Sequence, residues 1–231
     1  MIGALIFDFD GLLLDTETPA LESWREIYAE YGHDLPLDLW QAALGRDTGQ
    51  GFDALAHLAS LAPPPFDHAA IYARRQARKR ALCEALSLMN GVQEKLDQAR
   101  SLQLPCAVAS SSGRAWVEGW LRQHGIYDAF RCVRTSNDVA HTKPAPDLFL
   151  SAAACLGVDP AACLVFEDSP NGLLAARAAG MRCVAVPCAV TAQLHLPPAD
   201  LVLPSLDALP LVEIIALVSG EQRRATTCSS D

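Results

Sequence analysis

Four short apolar runs, three of them followed directly by polar residues, constrain the fold of this 231-residue chain more than any other feature. The runs lie at residues 3–7, 106–109, 163–166 and 183–186. Short runs that are apolar throughout are typical of parallel strands buried on both faces. Between and beyond them, helical spacing recurs at 117–124, 147–156, 171–179 and 209–218, with a possible edge strand at 201–203. This alternation predicts an α/β fold with helices on both faces of a parallel sheet.

The segment at residues 16–89 departs from this alternation, because it contains helical patterns and no strand-like run. Within it, residues 71–88 are expected to form one helix rich in Arg and Lys. We expect a Rossmann-like parallel-sheet core at 1–15 and 90–219, interrupted by an inserted all-helical cap domain at 16–89, with the active cleft between the two. Residues 220–231 are polar and aperiodic, and we expect them to be disordered.

The charge balance argues against two classes of partner. The chain has 18 Lys and Arg against 27 Asp and Glu, a formal net charge of −9. Nucleic-acid and anionic-membrane binders need basic faces, so neither partner is expected. No apolar run approaches the roughly 18–20 residues of a membrane-spanning helix, and residues 1–7 lack the basic start of a secretory signal. We therefore expect a cytoplasmic protein, monomeric by default.

The eight cysteines show no pattern of a metal site. They are Cys83, Cys106, Cys132, Cys155, Cys163, Cys183, Cys188 and Cys228. None forms a C-x-x-C pair, and no histidines cluster near them. Three lie in or beside predicted strands, where cysteine behaves as a small apolar residue. We expect reduced thiols in the core and no cysteine metal ligand.

Polar side chains follow three of the predicted strands, at the edge where open parallel sheets bind ligands. They are Asp8, Asp10, Ser110, Ser111, Glu167 and Asp168. Carboxylates this close repel one another unless a cation or a proton lies between them. Mg²⁺, which prefers carboxylate oxygens, water and phosphate as ligands, would satisfy them. For Asp8 and Asp10 alone, a solvated turn after a strand is the alternative.

Three residues could hold an anion beside that metal. Ser110 and Ser111 lead from a strand into a helix, where hydroxyls and backbone N–H groups bind anions. Lys143 precedes prolines at 144 and 146, which restrict its backbone. A phosphate between the metal and these groups would complete the site. Helix capping by the serines and a solvated surface lysine are the alternatives.

These residues, in this order, resemble the four motifs of the haloacid dehalogenase superfamily. The matching segments are 8–17 (DFDGLLLDTE), the strand ending at Ser110, 143–146 (KPAP) and 167–169 (EDS). The narrower resemblance is to the branch that contains β-phosphoglucomutase and small sugar-phosphate phosphatases, which carries a helical cap between its first and second motifs. Asp10 counts against the dehalogenase and phosphonate-cleaving relatives, whose motifs lack this second carboxylate.

The resemblance implies a role for each matching residue. Asp8 would attack phosphorus and become an aspartyl phosphate, and Asp10 would act as general acid and then general base. Lys143 would share in catalysis and, with Ser110 and Ser111, hold the phosphoryl oxygens. The metal ligands would be the Asp8 and Asp168 side chains, the Asp10 backbone carbonyl, and Glu167 directly or through water.

The cap is less well specified. Thr16 and Arg46 resemble cap residues that contact substrate, and the basic residues at 74–80 could face the cleft or solvent. The mutases carry a histidine where this chain has Ala20, which weakens the mutase interpretation. We expect a Mg²⁺-dependent phosphatase of a small phosphorylated metabolite, such as a sugar or polyol phosphate. A sugar phosphomutase and a non-catalytic phosphate-ligand binder are the alternatives.

Overall fold

The computed structural model describes residues 1–42, 44 and 52–220. Its centre is a six-stranded parallel sheet with strand order β3-β2-β1-β4-β5-β6. The strands are β1 (Ala4–Phe7), β2 (Cys106–Ala109), β3 (Cys132–Arg134), β4 (Cys163–Glu167), β5 (Arg182–Ala185) and β6 (Leu201–Val202). The predicted α/β fold with a Rossmann-like parallel sheet is therefore confirmed.

The described part of the chain contains nine α-helices. They are α1 (Glu17–Glu30), α2 (Leu37–Ala42), α3 (Ala54–Leu61), α4 (His68–Cys83), α5 (Val92–Ser101), α6 (Arg114–Gln123), α7 (Asp147–Leu156), α8 (Pro170–Ala178) and α9 (Leu211–Ser219). None of these helices combines the length and apolar character needed to cross a bilayer.

Two apolar layers sandwich the sheet, because successive strand residues point to opposite faces. Leu5 and Phe7 of β1 pack in the layer that contains α5, α6 and α9. Ala4 and Ile6 pack in the layer that contains α7 and α8. All four side chains are fully buried. The central strand is thus fixed on both faces, and its carboxyl end delivers Asp8 to the edge of the sheet.

Helices α1 to α4 follow β1 and have an apolar cluster of their own, with Trp24, Tyr28, Leu58 and Ile71 among its members. Helix α1 packs against α4. The Tyr28 hydroxyl is buried in this cluster and donates to the carbonyl oxygen of Ala54 across 2.8 Å. The described residues between β1 and α5 are therefore mainly helical, and their apolar cluster also includes Cys188 and Val190, which follow β5.

Two elements differ from the sequence expectation. Strand β3 was not predicted, because it has three residues and only its central Val133 is buried. Helix α4 ends at Cys83 rather than continuing to residue 88. Leu88 instead pairs with Leu14 in an antiparallel bridge, and the Met89 N–H donates to the Leu13 carbonyl oxygen across 3.0 Å. This pairing returns the chain to the core.

The expectation of reduced cysteines is wrong for one pair, since Cys132 and Cys155 form a disulfide. Helix α7 packs over β3, which brings the two Cα atoms to 6.7 Å although 23 residues separate them along the chain. The other cysteines of the described residues are buried free thiols, at positions 83, 106, 163, 183 and 188. Cys228 lies outside the described residues.

Candidate active site

A buried ion cluster lies where β1 and β4 end. The Lys143 ammonium donates to Asp8 Oδ1 and, across 2.7 Å, to Glu167 Oε1. All three side chains are at most 5% exposed. Burial alone would lower the pKa of Lys143, but the carboxylates of Asp8 and Glu167 raise it above its usual value. Lys143 is therefore charged and holds both carboxylates in place.

The carboxylates outnumber this single cation. Oxygen atoms of Asp8, Glu167 and Asp168 lie within 4.8 Å of one another, and all three residues are buried. Burial raises the pKa of Asp8; Lys143 opposes this rise, whereas Glu167 adds to it. Burial and the neighbouring carboxylates likewise raise the pKa of Asp168. A buried set of hard oxygen donors with excess negative charge fits Mg²⁺.

The second aspartate of the β1 loop has a different environment. Asp10 Oδ1 accepts hydrogen bonds from the Thr16 hydroxyl at 2.6 Å and from the Trp116 indole N–H at 3.0 Å. Its Oδ2 accepts from the hydroxyls of Ser112 at 2.6 Å and Ser110 at 3.2 Å. Four donors from three parts of the chain therefore fix the orientation of this carboxylate.

These contacts also set the charge of Asp10. Burial alone would raise the pKa of Asp10, but the Lys79 charge and the serine, threonine and tryptophan hydrogen bonds outweigh burial and lower it. Asp8 and Asp10 therefore differ in chemistry. Asp8 is a buried carboxylate paired with the Lys143 ammonium, and Asp10 is a hydrogen-bonded carboxylate that faces a cavity.

The cavity lies beyond the carboxyl ends of the strands and has a volume of about 310 Å³. One side is polar and consists of Asp8, Asp10, Asp168 and Ser110, Ser111 and Ser112. The opposite side comes from the helical segment and includes Ala20, Trp24, Trp40, Phe52, Tyr72 and Lys79. This volume is at the lower end of the range for small-molecule pockets. The cavity can hold a small ligand between strand-end carboxylates and a wall that combines aromatic rings with the charged groups of Glu17, Arg75 and Lys79.

The basic residues of α4 divide between two faces. Arg75 and Lys79 line the cavity. Arg74 and Arg78 instead form ion pairs with glutamates of α1 on the surface. Residues four apart share a helix face, so 75 and 79 point one way and 74 and 78 another. The basic residues of α4 therefore line the cavity on one face of the helix and form surface ion pairs on another.

Two glycines leave room for the carboxylates. Gly11 has φ +81°, and a Cβ there would lie 2.2 Å from Asp168 Oδ2. A Cβ on Gly172, in the first turn of α8, would overlap the Glu167 carboxyl group, with Oε1 only 1.7 Å away. No other residue type fits at either position without displacing a carboxylate of the cluster. The Ser169 N–H and hydroxyl also donate to Glu167 Oε2, at 2.9 and 3.0 Å.

The structure brings most of the sequence-predicted residues together, in two layers. Asp8, Asp10, Asp168 and the serines at 110 and 111 line the cavity. Lys143 and Glu167 lie behind them, with 1% and 0% of their surface exposed.

The two predicted cap contacts have different outcomes. Thr16 is fully buried, and its hydroxyl donates to Asp10. Arg46 lies outside the described residues.

Sequence reasoning missed several residues of the site. Glu17 lines the cavity, and Trp116 contacts Asp10. Thr191, after β5, is fully buried and its hydroxyl donates to Asp168 Oδ2 across 3.2 Å. The position of Glu17 at the end of the first motif, 8–17, was the one available signal.

Comparison with known proteins agrees with this geometry. The family model described as haloacid dehalogenase-like hydrolase matches residues 5–186. The Bacillus subtilis (strain 168) protein YhcW is 45% identical over 194 residues, which cover 84% of this chain and 87% of YhcW. Fructose-1-phosphate phosphatase YqaB of Escherichia coli (strain K12) is 36% identical over 184 residues, covering 79% of this chain and 95% of YqaB.

A solved structure extends the similarity to the fold. The crystal structure of CbbY from Rhodobacter sphaeroides in complex with phosphate has a TM-score of 0.72 and 28% sequence identity. The match covers 89% of this chain and 95% of that chain. The fold of the present chain is therefore similar to that of CbbY, whose crystal structure contains phosphate.

Proposed function

The chain belongs to the haloacid dehalogenase-like hydrolases, and on that premise we propose that it is a Mg²⁺-dependent phosphatase of a small phosphorylated metabolite. One observation carries the proposal. Two aspartates two residues apart, Asp8 and Asp10, face one cavity together with Asp168 and the serines at the start of α6. Similarity to a fructose-1-phosphate phosphatase supports a sugar or polyol phosphate as substrate.

In the proposed first half-reaction, an Asp8 carboxylate oxygen bonds to phosphorus and the ester P–O bond breaks. The electron pair of that bond stays on the leaving oxygen, which takes a proton from Asp10 in its protonated form. The products are an aspartyl phosphate at residue 8 and the free alcohol. In the second half-reaction, Asp10 takes a proton from a water molecule whose oxygen bonds to phosphorus, and the bond from Asp8 to phosphorus breaks.

The surrounding residues would stabilise the transferring group. Ser110 and the backbone N–H of Ser111 would bind phosphoryl oxygens. The Lys143 ammonium would balance charge behind Asp8. Asp8, Asp168, the Asp10 carbonyl and Glu167, directly or through water, would hold Mg²⁺. When bound, the ion would neutralise charge on the phosphoryl group.

We further propose that residues 16–89 act as a cap domain over a core formed by 1–15 and 90–219. The helical segment supplies the aromatic wall of the cavity, including Trp24 and Trp40. Such a wall would keep bulk water from the aspartyl phosphate while the alcohol leaves. Ala20 lines the same wall and offers no titratable group, which favours hydrolysis over return of the phosphoryl group to the substrate.

Phosphorus NMR tests the proposal. A panel of sugar and polyol phosphates is incubated with the protein, with Mg²⁺ or with a chelator. We expect inorganic phosphate to appear with Mg²⁺ and not with chelator. An isomeric phosphate ester without free phosphate would identify a phosphomutase instead. Tight binding of a panel member without any turnover would identify a non-catalytic binder.

A further inference from the structure

Trp116 makes a contact with Asp10 that the proposed reaction does not by itself require. It lies half-buried in the first turn of α6, and its Nε1 is 3.0 Å from Asp10 Oδ1. The Lys79 ammonium lies 4.5 Å from the centre of a Trp116 ring, and the Trp120 ring contacts it edge-on at 5.5 Å. Helix α4 and the next turn of α6 thus fix the indole plane and keep its N–H directed at Asp10.

The four described donors to Asp10 are not chemically equivalent. Hydroxyl groups, such as those of Thr16, Ser110 and Ser112, can either donate or accept a hydrogen bond. An indole N–H can only donate. The hydroxyls of Thr16 at Oδ1 and of Ser110 and Ser112 at Oδ2 can therefore turn to accept a proton from Asp10, whereas the Trp116 N–H cannot. Among the described side-chain donors to Asp10, Trp116 is thus the one whose hydrogen bond keeps its direction whether Asp10 is ionised or protonated.

The Trp116 hydrogen bond therefore holds the Asp10 carboxyl group in one orientation while the hydroxyls turn. In that orientation Oδ2 is bonded to the hydroxyls of Ser112 and Ser110. Both serines line the cavity on the same side as Asp8. Oδ2 is therefore directed to the side where the phosphate ester would lie.

We propose that Trp116 is a positioning residue that orients the Asp10 carboxyl group, with Oδ2 toward the side where the phosphate ester would lie. The inference rests on the proposed function, in which Asp10 is the general acid and base. In the first half-reaction the proton moves from Asp10 to the leaving oxygen as the ester P–O bond breaks. In the second, Asp10 takes a proton from the attacking water as the bond from Asp8 to phosphorus breaks.

The test compares two leaving groups in the Trp116→Phe variant, which keeps an aromatic ring and lacks the N–H. A sugar phosphate releases an alkoxide that needs a proton, whereas p-nitrophenyl phosphate releases a stable phenolate. The value of kcat/KM reports on the first half-reaction, in which the leaving group is expelled. We expect kcat/KM to fall roughly 10- to 100-fold for the sugar phosphate, because the variant loses a hydrogen bond to a charged group. For p-nitrophenyl phosphate we expect a fall of about threefold or less, because no general acid is needed.

Tyr127→Phe is the control, because Tyr127 lies in the turn after α6 and its ring contacts Arg122. It should affect both substrates equally. Replacing Trp116 by benzothienylalanine, which has sulfur in place of the N–H, keeps the shape of the indole if the phenylalanine variant unfolds. An equal loss for both substrates in the Trp116 variants, or no loss, would overturn the inference.

Asp10→Asn separates failure of the inference from failure of the proposed function. If Asp10 is the general acid, this variant loses far more activity with the sugar phosphate than with p-nitrophenyl phosphate. If Asp10→Asn reduces activity equally with the two substrates, the proposed function is wrong. If Asp10→Asn shows the difference between the substrates and Trp116→Phe does not, only the inference about Trp116 is wrong.

Discussion

The Lys143 ammonium donates to Glu167 Oε1 across 2.7 Å, and neither side chain is exposed by more than 1%. The same ammonium donates to Asp8. Removing one member of a buried pair leaves an uncompensated charge, at a cost of about 3–5 kcal/mol. The pair therefore connects the chain before α7 to the end of β4 and fixes the proposed nucleophile between them.

Asp8→Asn should abolish turnover, because an amide cannot serve as the attacking oxygen. We expect phosphate release to fall by more than about 1,000-fold, as for other catalytic nucleophiles. The measurement is phosphate release from the best substrate of the panel, with circular dichroism to verify folding. Asp128→Asn is the control, since Asp128 is exposed and lies in the turn after α6. Near-normal phosphate release by Asp8→Asn would contradict the assignment of the nucleophile.

Asp168→Asn should weaken Mg²⁺ binding by at least about 10-fold, because it replaces a charged ligand by a neutral one. Isothermal titration with Mg²⁺ alone measures this without any substrate. Mg²⁺ should also raise the Tm of the unmodified protein and raise that of the variant much less. Equal Mg²⁺ affinity for the two proteins would show that Asp168 is not a ligand.

Glu17 should make the free energy of unfolding depend on pH. Burial raises the pKa of Glu17 to about 7 from 4.5; Lys79 opposes this rise, whereas Asp10 adds to it. The folded state thus favours protonated Glu17, which contributes stability below about pH 4.5. That contribution, about 3 kcal/mol, is lost as pH rises through about 7.

The Glu17→Gln variant tests this dependence. Its stability should fall less between pH 4.5 and 7 than that of the unmodified protein, and it should be the more stable protein at pH 8. Urea unfolding in the presence of chelator measures both curves. Glu22→Gln is the control, because Glu22 lies on the same helix and is exposed. Identical pH dependence in the Glu17 and Glu22 variants would contradict the prediction.

Gly172→Ala should damage the site through Glu167. The new Cβ would overlap the Glu167 carboxyl group, which must move away from Lys143 and the Ser169 N–H. We expect a loss of about 1–3 kcal/mol in the free energy of unfolding, with a large fall in phosphate release. Gly119→Ala is the control. Gly119 lies in α6 with no atom near its would-be Cβ, so alanine there should stabilise the helix by up to about 1 kcal/mol.

The sheet and its polar edge were predictable because they follow from local patterns. Apolar runs identified β1, β2, β4 and β5, and the carboxyl ends of parallel strands meet at one edge. The grouping of Asp8, Ser110 and Asp168 then follows from chain position alone. Strand β3 lacked such a signal, since a three-residue strand with one buried side chain has no recognisable periodicity.

Contacts that depend on the rotation of a helix were not predictable. Trp116 reaches Asp10 across 106 positions of the chain only because its turn of α6 faces the β1 loop. The sequence of α4 likewise did not indicate whether residues 75 and 79 or residues 74 and 78 face the cavity. The disulfide between Cys132 and Cys155 depends on how α7 packs over β3, and the spacing of the cysteines along the chain does not predict that packing.

The central claim is that Asp8 carries the phosphoryl group, and chemical trapping tests it most directly. Asp10→Asn is mixed with Mg²⁺ and p-nitrophenyl phosphate, whose leaving group needs no proton, then quenched in acid and treated with borohydride. Borohydride converts an aspartyl phosphate to homoserine, which peptide mass spectrometry locates. The account predicts one equivalent of nitrophenolate released in a burst and homoserine at position 8. Release of nitrophenolate with Asp8 unmodified would contradict it.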